Sequence, residues 1–392
     1  MRDYWVEPES RTINAKKIIA CVLISILVVA VIVVVSLYIS NREFRNWIDV
    51  EIFRKEVSQD KLATIELDDG DNSNVYAFDD YITILSKNKL SLYGSSGTEE
   101  ASLDIQITKP VFNATNRFLV IGESNGQKLY LVENKNIVWE NQIEGNISQV
   151  YVNKNGYVAV IISGTSYKSV VEMFDPEGNV LFNIYLSSTM AVDVTISNDN
   201  KYLAMAEIDT SGTIIQSDVR IISVEKAKTD PTNSEEKKYD SEKNRLLVNI
   251  KYQDKDKIVC MYTDAISIIE NDSENVVFEK DDQKITSQSI ELDNNFVIIE
   301  EESSGIFSAN SVASIMDIDS KNQKDYTVNT SVKEIYTKGN IVALNLGTEV
   351  EFINTGGWLV KRYVANQEVT NITISDNIAG IVYRDKVEII NL

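Results

Sequence analysis

Residues 148–186 read SQVYVNKNGYVAVIISGTSYKSVVEMFDPEGNVLFNIYL. Four runs rich in Val, Ile, Tyr and Phe, namely SQVYVN, YVAVI, VEMF and NVLFNIYL, are separated by turns of Asn, Lys, Gly, Asp and Pro. β-Branched and aromatic side chains suit extended backbone, and Asn, Asp and Gly accept the dihedrals of tight strand connections. The runs have the length of strands, which makes the stretch a four-stranded antiparallel unit.

The unit repeats in both directions along the chain. Its apolar run recurs as YITIL at Tyr81, FLVIG at Phe118, YVAVI at Tyr157, YLAMA at Tyr202, IVCMY at Ile258, FVIIE at Phe296, IVALN at Ile341 and IAGIV at Ile378. The spacings are 37, 39, 45, 56, 38, 45 and 37 residues. A polar turn precedes each copy, and a second run follows, as in LSLYGSSG, LYLVENKN, ASIMDIDS and VEIINL. Four-stranded units of about 40 residues are the repeat of β-propellers, in which each blade buries its neighbour's apolar face. The fold expected is therefore all-β, an eight-bladed propeller over 61–392, with seven as the alternative count. The last unit stops at VEIINL without an outer strand, whereas LATIELDD (62–69) stands alone before the first unit. Strand 62–69 is expected to pair with the last blade and close the ring, since closure removes unpaired edges.

Upstream, residues 18–40 read IIACVLISILVVAVIVVVSLYIS, with no charge before Arg42. About 22 apolar residues at about 1.5 Å each span roughly 30 Å, one bilayer crossing. The expected organisation is a short cytoplasmic head (1–17), a transmembrane helix (18–39), a helical stalk (40–60) and the propeller. A cleavable signal peptide would have a shorter apolar core and a small-residue cleavage site, which VVSLYIS does not supply. Ile18-Ile19-Ala20-Cys21 has the composition of a lipobox, but it opens the apolar segment instead of closing it. Flanking charges tie at Arg2, Arg11, Lys16 and Lys17 before the span against Arg42, Arg45, Arg54 and Lys55 after it. The Lys16-Lys17 pair beside the membrane and the acidic, cysteine-poor soluble part favour a cytoplasmic N-terminus and an extracytoplasmic propeller. In the stalk, Phe44, Trp47, Ile48 and Ile52 keep helical spacing.

Composition excludes several functions. With 38 basic and 59 acidic residues the formal charge is −21, which opposes nucleic-acid binding. There is no histidine, so Ser-His-Asp and Cys-His chemistry is ruled out. The two cysteines are Cys21 and Cys260; Cys260, within the apolar run IVCMY, is expected to be buried and inert.

The irregular spots have modest readings. VEKAKTDPTNSEEKKYDSEKNR (224–245) accounts for the 56-residue spacing and is expected to be a mobile charged insertion, or a docking loop. EEESSGIFSANS (300–311) is expected to be an extended hairpin tip. Asp69, Asp71, Ser73 and Asp80 have calcium-loop spacing, but Asn74 stands where glycine is needed and Asp80 where glutamate is, so a solvated turn is expected and no metal. The acidic groups Asp79-Asp80, Asp281-Asp282 and Glu300-Glu301-Glu302 could supply a glycosidase's two carboxyls only if they face one another.

SNDNKYLAMA (197–206) and FDPEGNVLF (174–182) resemble the turn-plus-strand pattern of the WD40, YVTN and quinoprotein-like propeller superfamily. With the N-terminal segment, the chain resembles an uncharacterised family of membrane-anchored propellers from low-GC Gram-positive bacteria. The resemblance covers nearly everything after Lys61 and implies a fold, with no catalytic, cofactor-binding or metal-binding residues. No Trp-Asp dipeptide ends a blade and the tryptophan docking repeats of quinoproteins are missing, so no quinone cofactor is expected. The leading expectation is a non-enzymatic binding or scaffolding module of the cell envelope, with the membrane and a protein or cell-wall component as partners. The alternatives are a glycan or peptide hydrolase using channel carboxylates and a ligand sensor coupled through the stalk.

Overall fold

The computed structural model describes residues 15–40, 44, 47–48, 52, 61–68, 74–86, 88–241, 245–254, 256–279, 285–303 and 309–392. The chain divides into two units, Met1–Glu56 and Val57–Leu392.

In the first unit, Ala15–Ser40 forms one helix, α1. No Pro or Gly interrupts it, and its described side chains, 22–38, are apolar apart from Ser25, Ser36 and the Tyr38 hydroxyl, and are exposed around the whole circumference except at Tyr38, which is half-buried. Among the described residues no helix is long and apolar enough to cross a membrane. Most of the stalk expected at 40–60 lies outside the described residues. Within it, the Phe44 and Trp47 rings lie 5.9 Å apart.

The second unit contains eight four-stranded antiparallel sheets. Blade 1 runs from Val75–Phe78 to Glu99–Asp104, blade 2 from Pro110–Ala114 to Asn136–Gln142, and blade 3 from Asn146–Val152 to Val180–Leu186. Blade 4 runs from Met190–Ile196 to Glu235–Asp240, blade 5 from Leu247–Asp254 to Ser273–Glu279, and blade 6 from Ile285–Ser289 to Gln323–Val328. Blade 7 runs from Glu334–Lys338 to Leu359–Val364. Blade 8 takes Asn371–Ile374, Ile378–Val382 and Lys386–Asn391 from the end of the chain and its fourth strand, Lys61–Glu66, from the start. Thr64 faces Glu388 and Ile65 faces Val387 across this last pairing.

The eight apolar runs read from the sequence are the second strands. Val158–Ser163 and Phe118–Glu123 are buried along nearly their whole length, because each sheet is covered on both faces by its neighbours. Each described core cluster therefore straddles two successive blades. One joins Tyr76, Leu85 and Leu92 of blade 1 to Leu119, Tyr130 and Val132 of blade 2. Another joins Ile378, Val382, Val387, Ile389 and Ile65 of blade 8 to Val75, Ile82 and Ile84 of blade 1, so the packing runs around a closed ring. Blades 6 and 7 are linked by the Ser289 and Thr337 hydroxyls, 2.7 Å apart.

Turns lock the blades in the same local way. In FDPEG, Asp175 Oδ1 accepts from the Glu177 and Asn179 amides at 3.0 and 2.8 Å, and Gly178 takes φ +86°. A Cβ at Gly178 would lie 2.7 Å from Trp139 of blade 2, whose Nε1 donates to the Pro176 carbonyl at 3.2 Å. Only glycine gives both that dihedral and that clearance.

The mobile insertion expected at 224–245 is corrected by the structure. Val224–Ala227 is a short helix, α2, capped by the Ser223 hydroxyl, and Val224 and Ala227 are buried in the core between blades 3 and 4. Asp230 caps the single turn Pro231–Asn233. Glu235–Asp240, which reads as part of a charged loop, is the fourth strand of blade 4. An outermost strand has one covered face, so it forms a ladder with few apolar side chains. The hairpin of blade 6 is long: Asn295–Ser303 and Ala309–Asp317 stay paired out to Ser303 and Ala309.

Candidate functional site: the central channel

First strands present the problem from which the site arises. Each is hydrogen-bonded to its own second strand on one side only, and the other backbone edge faces the ring axis, where its N–H groups still need acceptors. Side chains from the preceding blade supply them. Asn113 Oδ1 accepts from the Val152 amide at 3.1 Å, Asp193 Oδ2 from Ile250 at 2.8 Å, and Thr195 Oγ1 from Tyr252 at 3.1 Å. A second set works from third strands: Ser169, Ser217 and Ser311 hydroxyls accept from the Ala191, Leu247 and Val332 amides at 2.8, 3.0 and 3.0 Å.

Around the axis these strands leave a cavity of about 850 Å³, to which all eight blades contribute: Ala77, Asn113, Gln149, Asp193, Asn249, Glu291, Thr337 and Thr373 line it in order. It extends to the face carrying the turns between first and second strands, here termed the front face, where Asn116, Arg117, Lys154, Asn198, Asp293 and Lys338 complete it. Arg117, Lys154, Lys251 and Lys338 stand against Asp193, Glu291 and Asp293, so the lining is balanced in charge although the chain is strongly acidic.

The charged groups are tightly held. Asp193 is 6 % exposed, and burial pushes its carboxyl up to about 7, against the Ile250 and Val194 amides and with a further upward push from Glu291. Its other oxygen accepts from Gln149 Nε2 at 3.4 Å. Lys251 donates to the Glu291 and Leu292 carbonyls at 2.8 and 3.0 Å, and burial lowers its pKa against the pull of Glu291 and Asp293. Lys338 is lowered by burial too, against Asp376, Asp79 and Asp80, with Asp376 Oδ1 3.8 Å from its Nζ. Asn249 Oδ1 is buried and makes no hydrogen bond to protein.

A pH prediction follows from Asp193. Its pKa is higher folded than unfolded, so its stabilising contribution is complete below about pH 4 and is lost as pH rises through about 7. Asp193→Asn keeps the acceptor for Ile250 and removes the buried charge. The variant is expected to be more stable than wild type at pH 8, by on the order of 3 kcal/mol, and indistinguishable at pH 4. Urea titrations at the two pH values check this.

A model described as "Family of unknown function (DUF5711)" matches residues 54–392. The chain belongs to that family. A search of curated protein sequences gives no significant match. Among solved structures, the DUF5711 chain is similar to BamB from Moraxella catarrhalis at 12 % identity, covering 85 % of this chain and 99 % of that one with a TM-score of 0.50. Apo AztD from Citrobacter koseri matches at 11 % identity over 81 % and 92 % of the two chains, TM-score 0.51. Sqt1 from Chaetomium thermophilum matches at 12 % over 86 % and 100 %, TM-score 0.52. At these identities the likeness shows a shared β-propeller fold.

The carboxylates of the DUF5711 channel are not the ones that sequence density singled out. Asp79 and Asp80 sit at a front-face turn of blade 1, where the Asn377 side chain donates to Asp80 at 3.1 Å. Glu300 and Glu301 lie in the long hairpin of blade 6, where Glu301 accepts from the Ser331 hydroxyl at 2.7 Å. Asp281 and Asp282 lie outside the described residues, as does 69–73 of the calcium-like loop. Among the described residues no group of His, Cys, Asp and Glu is arranged to hold a metal ion. Asp193, Glu291 and Asp293 were missed because each is a single acid; the available signal was Asp193 alternating with Val in VDVTIS. Cys260 is fully buried, and burial raises its thiol well above the ordinary range.

Proposed function

We propose that this chain is a membrane-anchored, extracytoplasmic β-propeller that acts as a non-enzymatic binding or scaffolding module of the cell envelope, with a protein or cell-wall component as partner. The observation that carries the binding reading is the commitment of the channel's functional groups. Asp193, Thr195 and Asn113 are used to hold neighbouring inner strands, and Lys251 is used on backbone carbonyls. What remains toward solvent is a rigid front-face rim of amides and mixed charges, a surface suited to recognition.

Support for the anchor comes from α1, in which the exposed side chains from Val22 to Leu37 are apolar on every side apart from Ser25 and Ser36, and from the uncharged sequence 18–40 that continues this run at both ends. Such a helix in water would expose far more hydrocarbon than a soluble protein tolerates, and lipid is the medium that removes the cost. Lys16 and Lys17 at its start support a cytoplasmic N-terminus.

A hydrolase is the second reading, because Asp193, with its raised pKa, shares the channel with Glu291, and separated carboxyls are the pattern of acid catalysis. Both Asp193 oxygens are nevertheless occupied.

The test uses the full chain in its own membrane. A reporter that matures only outside the cytoplasm, fused after Leu392, is expected to be active, and photo-cross-linkers at Arg117 and Lys154 are expected to give a discrete adduct that the same cross-linker at the outer-strand position Lys238 does not. A silent reporter reverses the topology. Equal labelling from both positions removes the front-face binding reading.

A further inference from the structure

We propose that the cleft between blades 4 and 5 is a binding site for an organic cation, an alkylammonium or guanidinium head. The cleft has a volume of about 580 Å³ and is separate from the residues that hold the inner strands, save for Tyr252, which lines both spaces. Tyr202 and Tyr239 of blade 4 and Tyr252 of blade 5 line it, over a floor of Ile221, Ile258 and Ile269. All six belong to one apolar cluster or pack against it.

Its polar rim selects the sign of the ligand. Glu236, Asp256, Glu270 and Asp272 border the cleft, whereas Lys237 is the one cation among the lining residues and is paired with Asp272. Outside the lining, Lys226 lies 2.9 Å from Glu236 and Lys257 lies 3.7 Å from Glu270. The Lys226–Glu236 pair is largely exposed and the Glu270 side of the second pair is exposed too; exposed pairs contribute little, so an entering cation can take a share of the same carboxylates. An anion would meet four carboxylates, and a neutral polar molecule would find an apolar floor. A cation with a hydrocarbon surface satisfies both the floor and the rim, and the electron-rich faces of tyrosines attract it.

Tyr239 completes the aromatic lining from the outer edge of blade 4. It lies on the charged fourth strand Glu235–Asp240, most of whose side chains are exposed, yet it is half-buried and turned into the cleft. Blade 6 has a half-buried tyrosine at the matching register, Tyr326 opposite Ala313 as Tyr239 is opposite Val219.

The experiment titrates the detergent-solubilised full chain with choline and with its uncharged carbon isostere 3,3-dimethylbutan-1-ol, read by saturation-transfer NMR and tyrosine fluorescence. Choline is expected to bind saturably and the isostere about tenfold more weakly. Tyr239→Leu is expected to lose about tenfold in choline affinity and Tyr239→Phe to keep it, each titrated well below its own melting temperature so that the folded protein is compared. A tripeptide with central lysine or arginine that outcompetes choline assigns the site to a protein side chain, and the reverse order assigns it to a small free cation. Equal binding of the isostere, full binding by Tyr239→Leu, or saturable binding of none of these cations overturns the proposal. Since no step uses the membrane or the channel rim, failure here leaves the proposed anchor and partner face standing.

Discussion

A chain lacking Lys61–Glu66 is expected to lose the cooperative melting of all eight blades together. The segment is a single strand, but it supplies the whole outer edge of blade 8. Without it the Lys386–Asn391 strand becomes a bare edge, open to pairing with other chains. Ile65, 7 % exposed, leaves the cluster that joins blade 8 to blade 1, and its burial alone contributes about 1.5–3 kcal/mol. In an open array each repeat rests on neighbours and the end repeats fray; a closed ring has no ends until this strand is removed. Calorimetry of the deletion variant should show a broad transition of much reduced enthalpy. A sharp transition at the wild-type temperature would mean that the strand is an ornament on a ring stable without it.

The second large effect is expected at Glu388. Its carboxylate is 2 % exposed and accepts from the Tyr383 hydroxyl at 2.9 Å, from the Tyr363 hydroxyl, and from Lys386 Nζ at 2.8 Å, with Lys61 Nζ at 3.5 Å. One side chain thereby ties the fourth strand of blade 7 to the third and fourth strands of blade 8. Blade 7 repeats the device: Glu351 accepts from Tyr326 of blade 6 at 3.0 Å and from Arg362 of its own fourth strand at 2.8 Å. In blade 8 the basic residue from the fourth strand is Lys61, from the opposite end of the chain. Glu388→Ala strands two buried tyrosine hydroxyls and is expected to cost about 3–5 kcal/mol.

The same group sets an acid limit. Burial pushes the Glu388 carboxyl up, but the hydrogen bonds from Lys386, Tyr363 and Tyr383 outweigh it and hold the pKa at about 2. A lowered folded pKa means stability that is present above the ordinary carboxylate value and lost as pH falls toward 2. Between pH 5 and pH 2 wild type is expected to lose up to about 3 kcal/mol through this group, and Glu388→Gln to lose correspondingly less. Denaturant titrations across that range compare the two.

How much of this was legible depends on what covers each strand. Second strands such as Val158–Ser163 are covered on both faces and must be apolar at every position, so eight of them stand out from the sequence. Fourth strands are covered on one face at the ring's periphery. EEKKYD at 235–240 has one aromatic among five charges, and nothing local distinguishes it from a loop; the partner strand Gln216–Ser223 decides it. The helix α2 hid for a related reason, because Val224 and Ala227 are too few to show a period and are buried by blade 3 residues distant in sequence. The channel was the least legible part. Asp193 and Glu291 are 98 positions apart, and ring geometry alone brings them together, whereas Asp79-Asp80 and Glu300-Glu301 sit in a turn of blade 1 and a hairpin of blade 6, away from the channel lining.

Hydrogen–deuterium exchange on the intact chain tests the central claim, a ring closed by its first strand. Peptides covering 61–66 should exchange with the same protection as those covering 386–391 and the second strands, since all open only when the ring opens. Rapid exchange of 61–66 while 386–391 and the second strands stay protected would contradict the closure.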